Sequence, residues 1–386
     1  MRITRIDTKL LIEKLKIVGN AINVKNPNIT LVGTKIVANE DKIIFVGTDG
    51  ESSIKTTILK DEVIGEIKET GTVLVEYKSF YTLLSKLRCK TVELYTQNDK
   101  QLIVQNEDNI YKFNLINAEQ YPNIEFKKLD NEFEIKIEQL KNMVSKVAFC
   151  CATKENNPIL TGVNISSANN EVLCIATDSY RLAKYTMNYE CKPFNITISK
   201  KSIQAISKIA NKTKQESVKF LYNDTNSELL INIDNTLYKT RLLEGKYPET
   251  SGILLTTNCN DYVVDRELLL EAIDRISTFG TSNSEEIANL VVVLTFENDT
   301  LEISCENQAK GQASEKIKIL ENGNHTKREI GCSSAFLIDA LKTFDTQTIR
   351  LQNMSSERPI YINGISSDIT DYTNVQVVLP IRLRKE

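Results

Sequence analysis

A single histidine, His325, stands in a chain of 386 residues, inside the polar stretch ENGNHTKRE. One imidazole removes Ser-His-Asp triads, Cys-His dyads and multi-histidine metal sites together. The eight cysteines lie at 89, 150, 151, 174, 191, 259, 305 and 332. No two have the CxxC spacing that zinc ligation uses. Adjacent Cys150-Cys151 reads as two buried thiols in a reducing compartment rather than a redox pair. Neither a phosphate-binding GxxxxGK run nor a GxGxxG turn occurs. Carboxylate pairs remain, at Glu285-Glu286 and at Asp368/Asp371, with the composition of a magnesium site. Both sit in polar stretches that read as solvated surface. The inventory assembles no active site, metal centre or cofactor site, so the chemistry to look for is that of binding.

The elements that must position a binding surface are ordinary globular ones. Apolar residues make up 41% and charged residues 26%, with 14 glycines and 7 prolines, which excludes collagen-like and linker-dominated chains. Apolar runs such as Leu290–Leu294 fall far short of the roughly 20 residues that a membrane helix needs. The opening MRITRIDTKLLIEKLK scatters charge through its apolar positions, unlike a signal peptide, and a cytoplasmic protein is expected.

The chain repeats itself. Helical spacing over 8–23, with Leu11, Leu15 and Val18 on one face, precedes several short alternating strands. A second helix over 78–88 is followed by TVELYTQ, KQLIVQN and Tyr121-Pro122. The plan returns with a helix over 138–147, strands through VLCIATDSYRLAKYTM, a helix over 200–212 and Tyr247-Pro248. Asn26-Pro27 recurs as Asn157-Pro158, and Thr48-Asp49 as Thr177-Asp178. A more diverged third pass has helices over 265–277 and 333–343. The expected fold is therefore α+β: three repeated domains, 1–129, 130–254 and 255–386, each with two helices packed on antiparallel sheets.

Charge is segregated within these units. The net charge is −3, yet the six helical segments together carry +8, which leaves −11 on everything else. Basic helices facing a polyanion, with acidic strands outside, would produce that pattern, and phosphate attraction of this kind is independent of sequence.

ATDSYRLA (176–183) resembles the ATDSHRLA signature of the bacterial DNA polymerase III β subunits, the replicative sliding clamps. NNPILTGVNI, LEGKYPE (243–249) and VVLPIRL (377–383) match three further stretches of that family, in order. The resemblance implies a non-catalytic replication processivity factor. Two chains would form a head-to-tail homodimer, a six-domain ring with helices lining a hole for duplex DNA. It would be nucleoid-associated, touch double-stranded DNA without reading sequence, and take no cofactor and no membrane.

The family's partners dock short linear motifs in a hydrophobic pocket between the second and third domains. They are the replicative polymerase α subunit, the clamp loader, other polymerases and repair proteins. Carried over by motif, that pocket comprises Leu160, Thr177, Ser179, Tyr180, Arg181, Leu182, Pro248, Val377, Val378, Leu379, Pro380, Ile381 and Arg382. Aliphatic side chains would supply the anchor region and Arg181 or Arg382 the polar rim. Two departures stand out: Tyr180 replaces the signature's histidine, and Thr250-Ser251-Gly252-Ile253 follows KYPE where the family has Arg and an aliphatic residue. Ile253 is expected to keep the aliphatic contact.

For DNA, the expected contacts are Lys25 and Lys154 in equivalent loops, and Lys78, Lys200 and Lys201 at helix starts. For the dimer interface, period-2 alternation puts Tyr111 and Phe113 on one face of the edge strand IYKFNL. Phe279, at a third-domain helix end, is their expected aromatic partner. A magnesium-dependent nuclease is the rival reading, but the matched motifs hold only Asp49 and Asp178, one per repeat, which suit turns.

Overall fold

The computed structural model describes residues 1–62, 65–107, 109–153, 157–223, 227–253, 259–279, 290–307, 310–323, 327–365 and 372–383. Six α-helices occur among them: α1 (Thr8–Val18), α2 (Tyr77–Lys86), α3 (Ile137–Val147), α4 (Lys200–Ala210), α5 (Arg266–Ser277) and α6 (Ser334–Leu341). Each follows a strand, and a polar side chain marks several of the starts. Asp7, Glu76, Asp265 and Ser333 accept hydrogen bonds from the first free backbone amides of α1, α2, α5 and α6. The expected first helix ran five residues too far. The α-helix stops at Val18, and Gly19–Ala21 tightens into a 3-10 turn. Leu11, Leu15 and Val18 are fully buried, as the helical spacing implied, each contributing about 1.5–3 kcal/mol of apolar burial.

The strands collect into two large antiparallel sheets, each in its own compact unit. One unit holds residues 1–140 and 201–242. Its 13-stranded sheet starts at Asn131–Lys136 and runs through the later strands of the second repeat to Thr236–Arg241. It crosses there to Ser52–Leu59 of the first repeat and continues to Asn109–Ile116 and beyond. The crossing is an antiparallel ladder from Thr236 opposite Thr56 to Thr240 opposite Ser52.

The other unit holds residues 141–200 and 243–386, with a 12-stranded sheet. Here Arg181–Asn188 of the second repeat pairs with Tyr372–Val378 of the third, from Arg181 opposite Val378 to Met187 opposite Tyr372. The middle repeat thus gives half its strands to each sheet, and shared ladders remove strand edges that would otherwise invite aggregation. A buried lysine adds to this second crossing. Lys146 on α3 donates through Nζ to the Thr343 carbonyl (2.7 Å) and to Asp345 (2.8 Å), just past the end of α6.

Close packing sets one glycine. A Cβ on Gly47 would lie 2.6 Å from Val18 Cγ1 and 2.7 Å from Ile22 Cγ1, so only glycine lets the end of α1 settle on this strand. No helix among the described residues is long and apolar enough to cross a membrane. Among the described residues no group of three or more His, Cys, Asp or Glu side chains is placed to hold a metal ion. His325, Glu285-Glu286 and Asp368/Asp371 lie outside the described residues.

Cys150 and Cys151 are both buried and free. Burial pushes the Cys150 thiol upward, and burial likewise takes Cys151 to about 12. Both stay protonated at neutral pH and are poor nucleophiles. In the folded protein at pH 8, iodoacetamide is expected to modify half-buried Cys89 and Cys191 while sparing Cys150 and Cys151, with mass spectrometry of peptides as the check. Alkylation of the vicinal pair at the same rate would contradict their burial.

Candidate functional site

The segment Thr177–Arg181 is a tight turn that holds itself together. Thr177 Oγ1 donates to the Arg181 carbonyl (2.6 Å) and accepts from the Ser179 amide (3.1 Å). Asp178 Oδ1 accepts from the amides of Tyr180 and Arg181, and Ser179 adopts the left-handed region at φ 76°. The result thrusts Tyr180 into solvent at 66% exposure. Its carbonyl accepts from the Leu379 amide (2.9 Å), so the two apolar side chains sit across the same ladder end.

Arg181 was expected on the polar rim; it points inward instead. Its side chain is 13% exposed, with Nε donating to Asp178 (2.9 Å) and one terminal nitrogen to Asp339 on α6 (2.6 Å). The other terminal nitrogen reaches the Phe149 carbonyl at 3.3 Å. The rings of Phe149 and Phe336 lie 5.3 and 4.4 Å from the guanidinium carbon. Burial disfavours the charge, but Asp339 and Asp178 outweigh it and hold the pKa above its ordinary value. The reason for the inward turn is the two carboxylates and the aromatic pair, none of which is adjacent to Arg181 in the sequence except Asp178.

Leu160, Leu182 and Val377 come together in one buried cluster with Ile159, Ile175, Tyr247 and Tyr361. They form the floor beneath the exposed residues rather than free walls. Val378 departs from the expected pocket altogether: strand alternation turns it to the opposite face, into the core of the third repeat. Two tyrosines of this cluster carry the floor's polar bonds. Tyr247 accepts the Thr177 amide proton on its hydroxyl (3.1 Å), and Tyr361 donates to the Ile253 carbonyl (2.6 Å).

Above the floor, Ile253 and Leu379 are exposed, as are Pro248 and Arg382, while Pro380 and Ile381 are half-buried. The tail is held at Ile381, whose amide donates to the Gly331 carbonyl (2.7 Å). A Cβ at Gly331 would stand 2.7 Å from the Ile381 oxygen, so that position too accepts only glycine.

Of the lysines, Lys25 and Lys78 are exposed and Lys200 is half-buried. Lys154 lies outside the described residues. Lys201 is committed to a partner, forming an ion pair with Asp49 of the first repeat. The strand Asn109–Ile116 pairs with Gln101–Asn106 on one side, but on the other only Leu115 and Ile116 have partners. Among the described residues 109–114 are thus a sheet edge, as the sequence suggested. Phe113 turns inward, edge-on to Phe80 of α2 at 5.5 Å, and Phe279 packs on the core of its own repeat.

Family models for the DNA polymerase III beta subunit match the whole plan: N-terminal domain over 1–125, central domain over 134–249 and C-terminal domain over 253–382. The beta sliding clamp of Bacillus subtilis (strain 168) is 30% identical over 378 residues, 96% of this chain and 97% of its own. The chain belongs to the bacterial beta sliding clamp family. Another beta sliding clamp, from Staphylococcus epidermidis, is 30% identical over 359 residues, covering 91% and 92% of the two chains.

The solved Bacillus subtilis sliding clamp superposes with a TM-score of 0.89 at 29% identity over the full length of both chains. A Streptococcus pneumoniae beta chain reaches 0.90 at 23% identity, covering 99% of this chain and all of its own. Beta sliding clamps are non-catalytic accessory subunits of the polymerase, and membership makes this chain a replication processivity clamp. Asp339, Phe149 and Phe336, which surround Arg181, carry no mark in the sequence, because nothing in one strand names the helix that will cover it. The pairing of Lys201 had no such signal either: Arg181 lies three residues after Asp178, but no cation lies within five residues of Asp49 in the chain.

Proposed function

We propose that two copies of this chain close head to tail into a six-domain ring around duplex DNA and tether polymerases to it. The proposed domains are 1–129, 130–254 and 255–386. One observation carries the reading: both junctions inside the chain follow the same rule. In each, the last strand of one repeat pairs antiparallel with the edge strand that follows the Thr-Asp turn, or its counterpart, of another. Applied a third time, the rule leaves two strands over. Among the described residues, 109–114 have one open side, and so do 311–318, which pair there only with Thr300–Asn307. These are the complementary halves of a third junction, available only to a second copy, and two-fold symmetry makes two such seams per dimer.

The register follows as well. NIYKFNLI (109–116) aligns with TLYKTRLL (236–243), Asn109 pairing with Asn106 as Thr236 pairs with Ile233. Buried Phe45 opposite Thr56 corresponds to buried Ile303 opposite Glu315. Carried over from the first junction, Tyr111 faces Ala313 of the second copy, Phe113 faces Gly311 and Lys112 faces Gln312. Large residues meet small ones on the inner face, and Phe279 lies at the helix end beside this strand.

Duplex DNA is proposed to meet Lys25, Lys78, Lys154 and Lys200, with Lys201 contributing less because Asp49 already neutralises it. Partner peptides are proposed to lie across Tyr180, Ile253, Leu379 and Pro248, over the floor of Leu160, Leu182 and Val377. Loading onto a nicked circular plasmid with a clamp loader, removing free protein by gel filtration and then linearising gives the test. Protein that stays on circles and leaves linear DNA encircles the duplex, with the polymerase held at high effective concentration. Retention on both forms would mean binding by direct contact, and the ring reading would fail.

A further inference from the structure

Two turns at equivalent places in the first two repeats are built alike. In the first, Thr48 Oγ1 donates to the Ser52 carbonyl (2.8 Å) and accepts from the Gly50 amide (3.1 Å), as Thr177 does with Arg181 and Ser179. Asp49 Oδ1 caps the turn by accepting from the amides of Glu51 and Ser52, as Asp178 does with Tyr180 and Arg181. In both, the second carboxylate oxygen is turned toward a cation that leads to the neighbouring repeat. Asp49 binds Lys201, the second residue of α4. Asp178 binds Arg181, whose guanidinium continues to Asp339 on α6. The Asp49 side chain is only 7% exposed, so its charge is not free to relax into water.

The third repeat has Asn307 at this position. It follows Glu306, which pairs with Gln312 as Thr48 pairs with Ser53, and its Oδ1 accepts from the Lys310 amide three residues on (3.1 Å). The capping half of the device survives there and the charge does not. The strand after this turn is the one left for a second copy. The helix that would approach it is α2, whose Tyr77-Lys78-Ser79-Phe80 aligns with Lys200-Lys201-Ser202-Ile203 of α4, with Phe80 and Ile203 both fully buried. Lys78 therefore holds the place of Lys201 and is exposed.

We propose that Asp49 and Asp178 are one latch used twice, a turn-capping carboxylate that ties each repeat to the next, and that Asn307 leaves the seam between copies without it. The seam half of this rests on the ring reading; the Asp49 half does not. The seam is thereby the softest of the three junctions, and its partner cation, Lys78, is already in place.

The test restores the missing charge. Subunit exchange between two fluorescently labelled pools, with the dimer dissociation constant from sedimentation, is measured for the wild type, Asn307→Asp, and Asn307→Asp with Lys78→Met. One partly exposed ion pair is worth roughly three- to fivefold, and a dimer has two seams, so Asn307→Asp is expected to tighten the dimer roughly ten- to 25-fold. The gain should vanish with Lys78→Met and shrink in about 0.5 M salt, where screening is strong. No gain, or a gain that survives Lys78→Met, overturns the seam half. A monomeric wild type would instead overturn the ring reading. Independently of both, Asp49→Asn and Lys201→Met should speed amide exchange in the ladder between Ser52–Leu59 and Thr236–Arg241. Unchanged exchange there overturns the latch itself.

Discussion

Replacing Lys112 with proline is expected to leave the chain folded and to abolish its self-association. Residues 109–114 form an antiparallel ladder with 101–106, and the Leu115 amide donates to the Lys100 carbonyl on that side. Amides alternate in direction along a strand, so those of Ile110, Lys112 and Asn114 face the open side. Proline at 112 removes a donor that the chain itself does not use, which edge strands tolerate. In the proposed seam the same amide is central, opposite Gln312 of the second copy. Losing that ladder bond and placing a ring against the facing strand costs roughly 2–3 kcal/mol per seam. Two seams then raise the dimer dissociation constant roughly a thousandfold or more. Sedimentation should show a monomer at micromolar concentration with an unchanged circular dichroism spectrum, while Lys112→Ser stays dimeric. A dimeric Lys112→Pro would place the contact between copies elsewhere.

Much of this architecture could be read from the chain because local patterns set it. Six helices announced themselves through apolar spacing, and Leu11, Leu15 and Val18 bury as that spacing requires. The repeat was legible because turn motifs recur: Thr48-Asp49 with Thr177-Asp178, Tyr121-Pro122 with Tyr247-Pro248. The two long sheets were not legible. A strand's sequence records which of its faces is buried but not which strand will lie beside it. Nothing in Thr236–Arg241 says that its neighbour is Ser52–Leu59, almost two hundred residues earlier.

The same limit explains the site residues that moved. Motif matching named Val377 and Val378 together, yet adjacent strand residues must face opposite ways, and only Val377 reaches the floor with Leu182. A charged residue in an apolar motif reads as a rim residue until its partners are known. Lys201 and Arg181 both read in the sequence as outward cations, and both are spent on carboxylates. The helical charge excess of the sequence is therefore smaller in effect than its count, since Lys201 faces Asp49 and buried Lys146 faces Asp345.

Arg181→Ala should be the most damaging single change at the candidate peptide surface, although Arg181 itself scarcely reaches solvent. Its side chain satisfies Asp178, which caps the turn that presents Tyr180, and it fills the gap between Phe149 and Phe336. Alanine strands the largely buried Asp178 carboxylate and leaves a void between two rings. Breaking a buried pair by removing one partner typically costs about 3–5 kcal/mol. Asp339 is 45% exposed and regains water, so about 2–4 kcal/mol is the expected loss here. Arg181→Lys should recover little of it, because an ammonium cannot donate in three directions from one plane or stack on two rings. The urea midpoint should fall for both variants. Amide exchange should quicken in Arg181–Asn188 and Tyr372–Val378, which pair across this junction. Tyr180→Ala, by contrast, should weaken capture of a partner peptide while leaving the midpoint in place, since its ring is mostly in water. That split separates the residue that holds the surface from the residue that offers it. If Arg181→Ala is as stable as the wild type, or Lys restores it fully, the caged guanidinium is not what fixes the turn.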